Sequence, residues 1–438
     1  MSSYMICADS SEIRRQTERL GMPVCDAILQ ALQETTPAGE PVPTILAVCP
    51  TSPAVVRAAL QASKEAEAPL FFAATLNQVD IDGGYTGWTP AGFVRLVGEL
   101  AKEVGYTGPV VVGLDHGGPW LKHTHQQWPL ARAMEGVKES LVACLEAGYD
   151  LLHVDPTVDR TLPPGEGISI EVVVERTLEL IAHTEAHRRA QRLPRVSYEV
   201  GTEEVHGGLA DLSVFDRFLM GLKQGLAERG LSDVWPCFVV GKVGTDLHTT
   251  VFDPVVARDL VARAAAYGSV IKGHYTDYVD NPDAYPQCGI GGANVGPEFT
   301  ECEYGGLETL ARREEELVAQ RRVTEPSGIM AALREATVAS GRWQRWLQPE
   351  EIGLPFTELA SERQGWLMRT CCRYVWCDSA VEAARQQLYR NLATAGEENE
   401  TVVLRAISES IAKYYQEFGV AGTLERMAQA LRRAVPDS

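Results

Sequence analysis

Eight short apolar runs, each closed by polar or glycine residues and separated by longer amphipathic stretches, constrain this chain more than any other feature. The strand candidates are Thr44–Cys49, Leu70–Thr75, Val110–Leu114, Leu151–Val154, Val196–Val200, Cys237–Val240, Ser269–Ile271 and Ala293–Val295. Helical stretches at Pro53–Glu67, Pro90–Val104, Pro129–Ala147, Ile170–Arg188, Leu212–Glu228 and Pro254–Tyr267 lie between them. Several carry proline in the first turn, where helix starts favour it. Strands that are apolar throughout belong to parallel sheets covered on both faces. Eight such units over about 260 residues suit a closed (β/α)8 TIM barrel better than an open doubly wound sheet. The link from 280 to 292 reads as loop. No Gly-x-Gly-x-x-Gly follows the first strand, and Gly289-Ile-Gly-Gly-Ala-Asn-Val-Gly296 runs through the last one, so a dinucleotide site is not expected.

The pattern changes at both ends. Residues 1–43 read as a helical segment and a Pro/Gly linker, 44–322 as the barrel, and 323–438 as a C-terminal helical appendage containing Trp343, Trp346, Trp366 and Trp376. A formal charge of −19 argues against nucleic acid and anionic membrane as partners, because both call for clustered Lys and Arg. No apolar run approaches the roughly 20 residues that span a bilayer, and the first fifteen residues do not resemble a signal peptide. The ten cysteines show no metal-site spacing and read as free thiols, with Cys371, Cys372 and Cys377 on one helix. A cytoplasmic protein acting on a small molecule is expected.

Parallel barrels hold their chemistry at the C-terminal strand ends. Those ends carry Asn77-Gln78, Asp115-His116, His153 with Asp155, Glu199 with Glu203-Glu204, Lys242 to His248, His274 with Asp277, and Asn294. A catalytic divalent metal takes three protein ligands and leaves a position open. His116, His248 and His274, from three separate strands, are the candidate ligands, although any one could instead bond to backbone. His153 could be a fourth; with Asp155 on the same side of its strand, a substrate-contacting role fits better. Strict strand alternation would keep Asp115 and His116 apart unless Gly117-Gly118 turns the chain. Asp115 then becomes a candidate general acid/base, or else an acid that orients the loop. The crowded Glu199, Glu203 and Glu204 call for a cation or a shared proton, unless they form a solvated loop, and His206 is a spare there. His123 and His125 could contact substrate. His183 and His187 sit on a helix outside the barrel mouth. No Gly-x-Ser-x-Gly elbow supports a serine hydrolase.

These motifs resemble the class II tagatose-bisphosphate aldolase family, most closely its large subunit, usually called non-catalytic. The likeness rests on Ala74-Thr-Leu-Asn-Gln-Val79, Gly83-Gly-Tyr-Thr-Gly-Trp-Thr-Pro90, Asp115-His-Gly-Gly-Pro119, His153-Val-Asp155, Gly201-Thr-Glu203, His274-Tyr-Thr-Asp277 and Asn294-Val-Gly-Pro297. It spans about 44–320 and continues more weakly through Arg373-Tyr-Val-Trp376. The resemblance implies a TIM barrel with a divalent metal, zinc first and manganese, cobalt or nickel as alternatives, held by His116, His248 and His274. It implies Asp115 as the proton-transfer acid, Glu199 or Glu203 as a second one, and Asn294 on the substrate. Gln78, His153, Asp155 and Asp277 join the substrate-binding set, and Lys242 could supply a fixed cation. The reaction implied is aldol cleavage or C4 epimerisation of a ketohexose or its phosphate through an enediolate or retro-aldol step. The alternative is a non-catalytic subunit that stabilises a separate aldolase, and the assembly implied is a homo-oligomer or a hetero-oligomer with such a subunit. The chain departs from the family at the glycine and hydroxyl residues that cradle phosphate: here Tyr275-Thr-Asp-Tyr278 and Val295-Gly-Pro-Glu298 stand in their place. The substrate could therefore carry phosphate only at its other end, or none.

Overall fold

A computed structural model describes residues 11–163, 166–201, 211–245 and 250–435. Two helices, α1 (Glu12–Leu20) and α2 (Val24–Thr35), precede eight strands. These are β1 (Ile45–Val48), β2 (Leu70–Thr75), β3 (Val110–Gly117), β4 (Leu151–Val154), β5 (Ser197–Val200), β6 (Phe238–Gly241), β7 (Val270–Gly273) and β8 (Gly292–Val295). Between them run α3 (Pro53–Glu65), α4 (Pro90–Val104), α5 (Leu130–Ala147), α6 (Ile170–Gln191), α7 (Leu212–Glu228), α8 (Pro254–Ala265) and the short α9 (Ala284–Cys288). The strands close in sequence order into one parallel barrel, β8 pairing back onto β1, so the fold is the expected (β/α)8 barrel. The strand bounds agree with the sequence to within a few residues. β3 runs three residues beyond Leu114, and the 280–292 link contains α9 rather than loop alone.

Local chemistry starts and stops the helices where the sequence suggested. Ser52, Thr89, Ser169, Asp211 and Asp253 accept a first-turn N–H at their helix N-termini, and α3, α4 and α8 begin on proline. Gly105 and Gly148 end α4 and α5 in the left-handed conformation that only glycine adopts freely. At the N-terminal mouth of the barrel α1 inserts Arg14, which pairs with the buried Asp150 at 2.7 Å and donates to Val110 O at 2.7 Å. This pair closes the end opposite the polar strand tips.

After the barrel come α10 (Pro297–Ala319), α11 (Ile329–Ala339), α12 (Ser361–Cys371), α13 (Ser379–Thr394), α14 (Glu400–Glu417) and α15 (Leu424–Ala434). α14 packs between α3 and α10, with Tyr415 bonded to Ser63 at 2.6 Å, and α15 returns to α1 and α2. The barrel and the C-terminal helices share one apolar core. α12 ends at Cys371 and tightens into a 3-10 turn over Cys372–Tyr374, so the three clustered cysteines do not share a helix. Among the described residues every cysteine is a free thiol, and no helix is long and apolar enough to cross a membrane.

Glu303 on α10 gives this packing a pH dependence. Its buried carboxylate accepts a 2.5 Å bond from Ser52, and Arg385 stands 3.7 Å away. Burial pushes the carboxyl up to about 7, outweighing the opposing pull of Arg385 and Ser52. The folded state keeps a proton that the unfolded chain releases near the ordinary value of 4.5. Its contribution is complete below that pH and is lost as pH rises through 7, about 3 kcal/mol in all. Glu303→Gln should therefore lose less thermal stability than the wild type between pH 5 and pH 8 by calorimetry. Parallel pH curves for the two proteins would remove Glu303 from the account.

Candidate active site

The polar strand tips meet because β3 breaks register at its end. Leu114 pairs with Leu152 and Gly117 with Val154, so Asp115 and His116 together oppose His153. Two residues against one is a β-bulge, which re-aims side chains. His116 takes a positive φ of 53°, a strained conformation for a side chain of its size. Strict alternation is lost, and both Asp115 and His116 line the cavity at the barrel mouth. The bulge depends on close backbone approach to β4: a Cβ on Gly118 would stand 1.6 Å from the carbonyl oxygen of Asp155. The turn anticipated at Gly117-Gly118 exists, and it needs glycine.

Three imidazoles converge here: His116 and His274 line the cavity, and His153 is buried beside them. Ring centroids lie 4.8 Å apart for His116 and His274, 5.1 Å for His116 and His153, and 5.5 Å for His153 and His274. Carboxylates hold them from behind. His116 Nδ1 meets Asp155 Oδ2 at 2.6 Å, His153 Nδ1 meets Asp115 Oδ1 at 3.1 Å, and His274 Nε2 meets Glu199 Oε1 at 3.1 Å. Asn294 Nδ2 donates to the other oxygen of Asp115 at 3.1 Å, and Thr157 donates to Asp155 at 2.5 Å. Lys272 on β7 is buried against Glu199 at 2.6 Å.

The electrostatics of this cluster call for a cation. Asp115, Asp155 and Glu199 are all buried, and Lys272 is their one fixed cation among these groups, leaving two negative charges uncompensated. Burial alone would raise Asp115, but the charges of His116 and His274 hold it well below the usual carboxylate range. Burial likewise opposes ionisation of Glu199, yet Lys272 and His153 bring it down to about 2. Burial would lower His116, and the carboxylates of Asp115 and Asp155 instead raise it to about 9.

Donor chemistry shows that a divalent cation fits the same demand. Ligand atoms of Asp115, His153, Glu199 and His274 lie within 4.8 Å of one another, as do those of His116, His153 and Asp155. His153 Nδ1 accepts the His116 backbone N–H at 3.1 Å and faces Asp115 Oδ1 at the same distance, while its Nε2 is buried with no partner among the described residues. An imidazole steadied by a carboxylate on one nitrogen and open on the other is how metal-binding histidines are presented. His153 therefore stands in the same cluster as His116 and His274. His248, Glu203, Glu204 and His206 lie outside the described residues.

The remaining expected residues are distributed around this floor. Gln78 is buried and accepts from Thr75 N–H at 2.8 Å in the cavity wall. Asp277 also lines the wall, but its Oδ1 accepts from the backbone N–H groups of Gly296 and Glu298, at 2.9 and 2.8 Å, at the start of α10. Burial raises Asp277 to about 7 against those two bonds. Its side chain takes donors that a phosphate cradle would use. Lys242 is half-buried and does not line the cavity; the fixed cation of the cluster is Lys272. His123 lines the cavity, whereas His125 stacks on Trp128 at 3.7 Å. His187 pairs with Glu146 at 2.9 Å on the barrel exterior. Trp346, Arg373 and Tyr374, all from the C-terminal region, complete a cavity of about 260 Å³, suited to one small molecule. Sequence reasoning missed Lys272, although a lysine within Ser269-Val-Ile-Lys-Gly273 was a legible signal. It also missed the three cavity residues after the barrel, where only a weak likeness through Arg373 marked the place.

A family model described as D-tagatose-1,6-bisphosphate aldolase subunit GatZ/KbaZ-like matches residues 29–434. Among solved structures, a probable tagatose 6 phosphate kinase from Sinorhizobium meliloti 1021 is 24% identical and superposes with a TM-score of 0.66 over 90% of this chain and 98% of its own. A fructose-bisphosphate aldolase from Campylobacter jejuni is 12% identical, with a TM-score of 0.52 over 95% of this chain and 97% of its own. Both likenesses concern the fold.

Proposed function

This chain belongs to the GatZ/KbaZ-like family of D-tagatose-1,6-bisphosphate aldolase subunits, and from that premise we propose that it is a metal-dependent enzyme acting at C4 of a tagatose- or fructose-type ketose phosphate. The observation that carries this reading is the convergence of His116, His153 and His274 beside the buried Asp115. These three imidazoles, whose donor atoms fall in two overlapping sets that share His153, would hold a divalent ion, zinc first, with manganese, cobalt or nickel as alternatives. When bound, such an ion supplies Lewis-acid polarisation of the substrate ketone and the neighbouring hydroxyl.

The protein's own groups do the rest. Asp115, ionised at neutral pH, accepts the proton of the C4 hydroxyl. The C4 oxygen becomes an aldehyde as the C3–C4 bond breaks, and that electron pair moves towards the ketone half. Asn294 steadies the second oxygen of Asp115. Glu199, tied to Lys272, orients His274 rather than moving a proton itself. Trp346 and Tyr374 cover the mouth and limit water. Release of the aldehyde gives an aldolase; rotation of the aldehyde and re-addition on its other face gives a C4 epimerase.

The family description as an aldolase subunit favours a second reading, a partner that stabilises a separate catalytic chain. One experiment separates the two. The protein is purified alone, its metal content measured, and fructose, tagatose and their phosphates are followed by NMR for cleavage or C4 inversion. Metal-dependent turnover is the expected result. Metal-free, inactive protein that prolongs the activity of an added class II aldolase would establish the partner role instead.

A further inference from the structure

The cavity has an acidic floor and a basic roof, and the roof lacks counter-charges. Arg373 is 7% exposed and lies 5.1 Å from the Trp346 ring and 4.7 Å from that of Tyr374. It donates to the Thr370 carbonyl and, at 3.0 Å, to the Tyr374 hydroxyl. Arg342 stands over the Tyr85 and Tyr374 rings at 5.5 and 5.2 Å, and its Nη1 is buried with no partner among the described residues. Exposed Arg345 shares the 3-10 turn Arg342–Trp346 with Arg342 and the cavity residue Trp346, and burial together with Arg345, Arg342 and Arg373 holds the cavity residue His123 down to about 3.

Arg14 and Arg176, the other buried arginines among the described residues, pair with Asp150 and Asp159, each at 2.7 Å. Three other arginines of the C-terminal region also find an acid: Arg363 pairs with Glu351 at 2.7 Å, Arg369 with Glu301 at 3.8 Å and Arg385 with Glu303 at 3.7 Å. Among the described residues Arg342, Arg345 and Arg373 pair with none. A guanidinium left in a cavity wall with donors to spare suits a phosphate, which takes its planar fork in two bonds. The start of α10 is a poor rival, because Asp277 already accepts from its N–H groups.

We propose that the C-terminal helical region supplies a phosphate subsite, with Arg373 as the direct contact and Arg342 and Arg345 adding charge, for the end of the sugar farther from the imidazoles. This deepens the proposed function and rests on its sugar substrate, but the subsite can be tested without turnover. Calorimetry on the full chain, stripped of metal, compares fructose 6-phosphate with fructose. The phosphate ester should bind at least about 10-fold tighter, and the advantage should shrink as salt is added. Arg373→Gln should weaken fructose 6-phosphate by about 10- to 100-fold and so remove most of its advantage over fructose. Arg345→Ala, at an exposed position that should not disturb folding, should weaken it by a few-fold, in line with a surface charge. If Arg373→Gln fails to fold, the Arg345 variant decides.

Equal binding of the two sugars, or fructose 6-phosphate affinity unmoved in the folded variants, overturns the subsite. Tighter binding of fructuronate than of fructose 6-phosphate also overturns it, by making the terminal group a carboxylate. Phosphate-selective binding in a protein that holds no metal and turns nothing over would sink the proposed function and leave the subsite standing. Metal-dependent turnover without phosphate selectivity would do the reverse.

Discussion

Alanine at His116 or at His274 is expected to weaken divalent-metal binding by at least about 100-fold, since disturbing even the groups behind a metal ligand costs 10- to 100-fold. The two rings come from β3 and from the end of β7 and stand 4.8 Å apart, and in the proposed site each would contribute one ligand. The measurement is metal content after dialysis against a fixed free concentration, together with the thermal shift that metal confers on the folded protein. His187→Ala, on the exterior against Glu146, is the control and should keep full occupancy. His153→Ala and His248→Ala then decide the third ligand, for which the sequence offered His248 and our proposal takes His153. Full metal after either His116→Ala or His274→Ala would remove that residue from the site.

Asp115→Asn should leave metal content within about two-fold and lower turnover by about 10²- to 10⁴-fold, the range for a lost general base. The amide is nearly isosteric and keeps an oxygen for Asn294 and a polar group for His153, so the floor should hold its shape. What it loses is the ability to take the C4 proton. Neighbouring positive charge keeps Asp115 ionised well below the ordinary carboxylate range, so substitution silences it more cleanly than mild acid does. A variant that retains metal and turns over at the wild-type rate would assign the proton transfer elsewhere. One that loses its metal would make Asp115 a ligand, which its place in the donor cluster allows.

Much of this arrangement was legible in the chain itself. β2, α4 and β4 have the bounds that their apolar runs and flanking prolines and glycines suggested. Periodicity works there because a strand buried on both faces, or a helix with one buried stripe, must repeat its apolar residues. The strand-end rule likewise singled out Asp115, His116, Glu199, His274 and Asn294, which the structure brings together. It failed at Lys242, half-buried and away from the cavity, while Lys272 sits inside the barrel. A strand read as ending at Ile271 hid the lysine that β7 carries inward.

By itself the sequence determined the barrel, the order of its strands and which residues stand at their tips, since these follow from local pattern and chain direction. Only the tertiary structure decided which tips touch. The bulge that lets Asp115 and His116 face one cavity is a register shift against β4, and no local pattern states a register. The roof of Trp346, Arg373 and Tyr374 depends on how the C-terminal helices pack across more than two hundred intervening residues, and that is settled by apolar burial between surfaces distant in the chain.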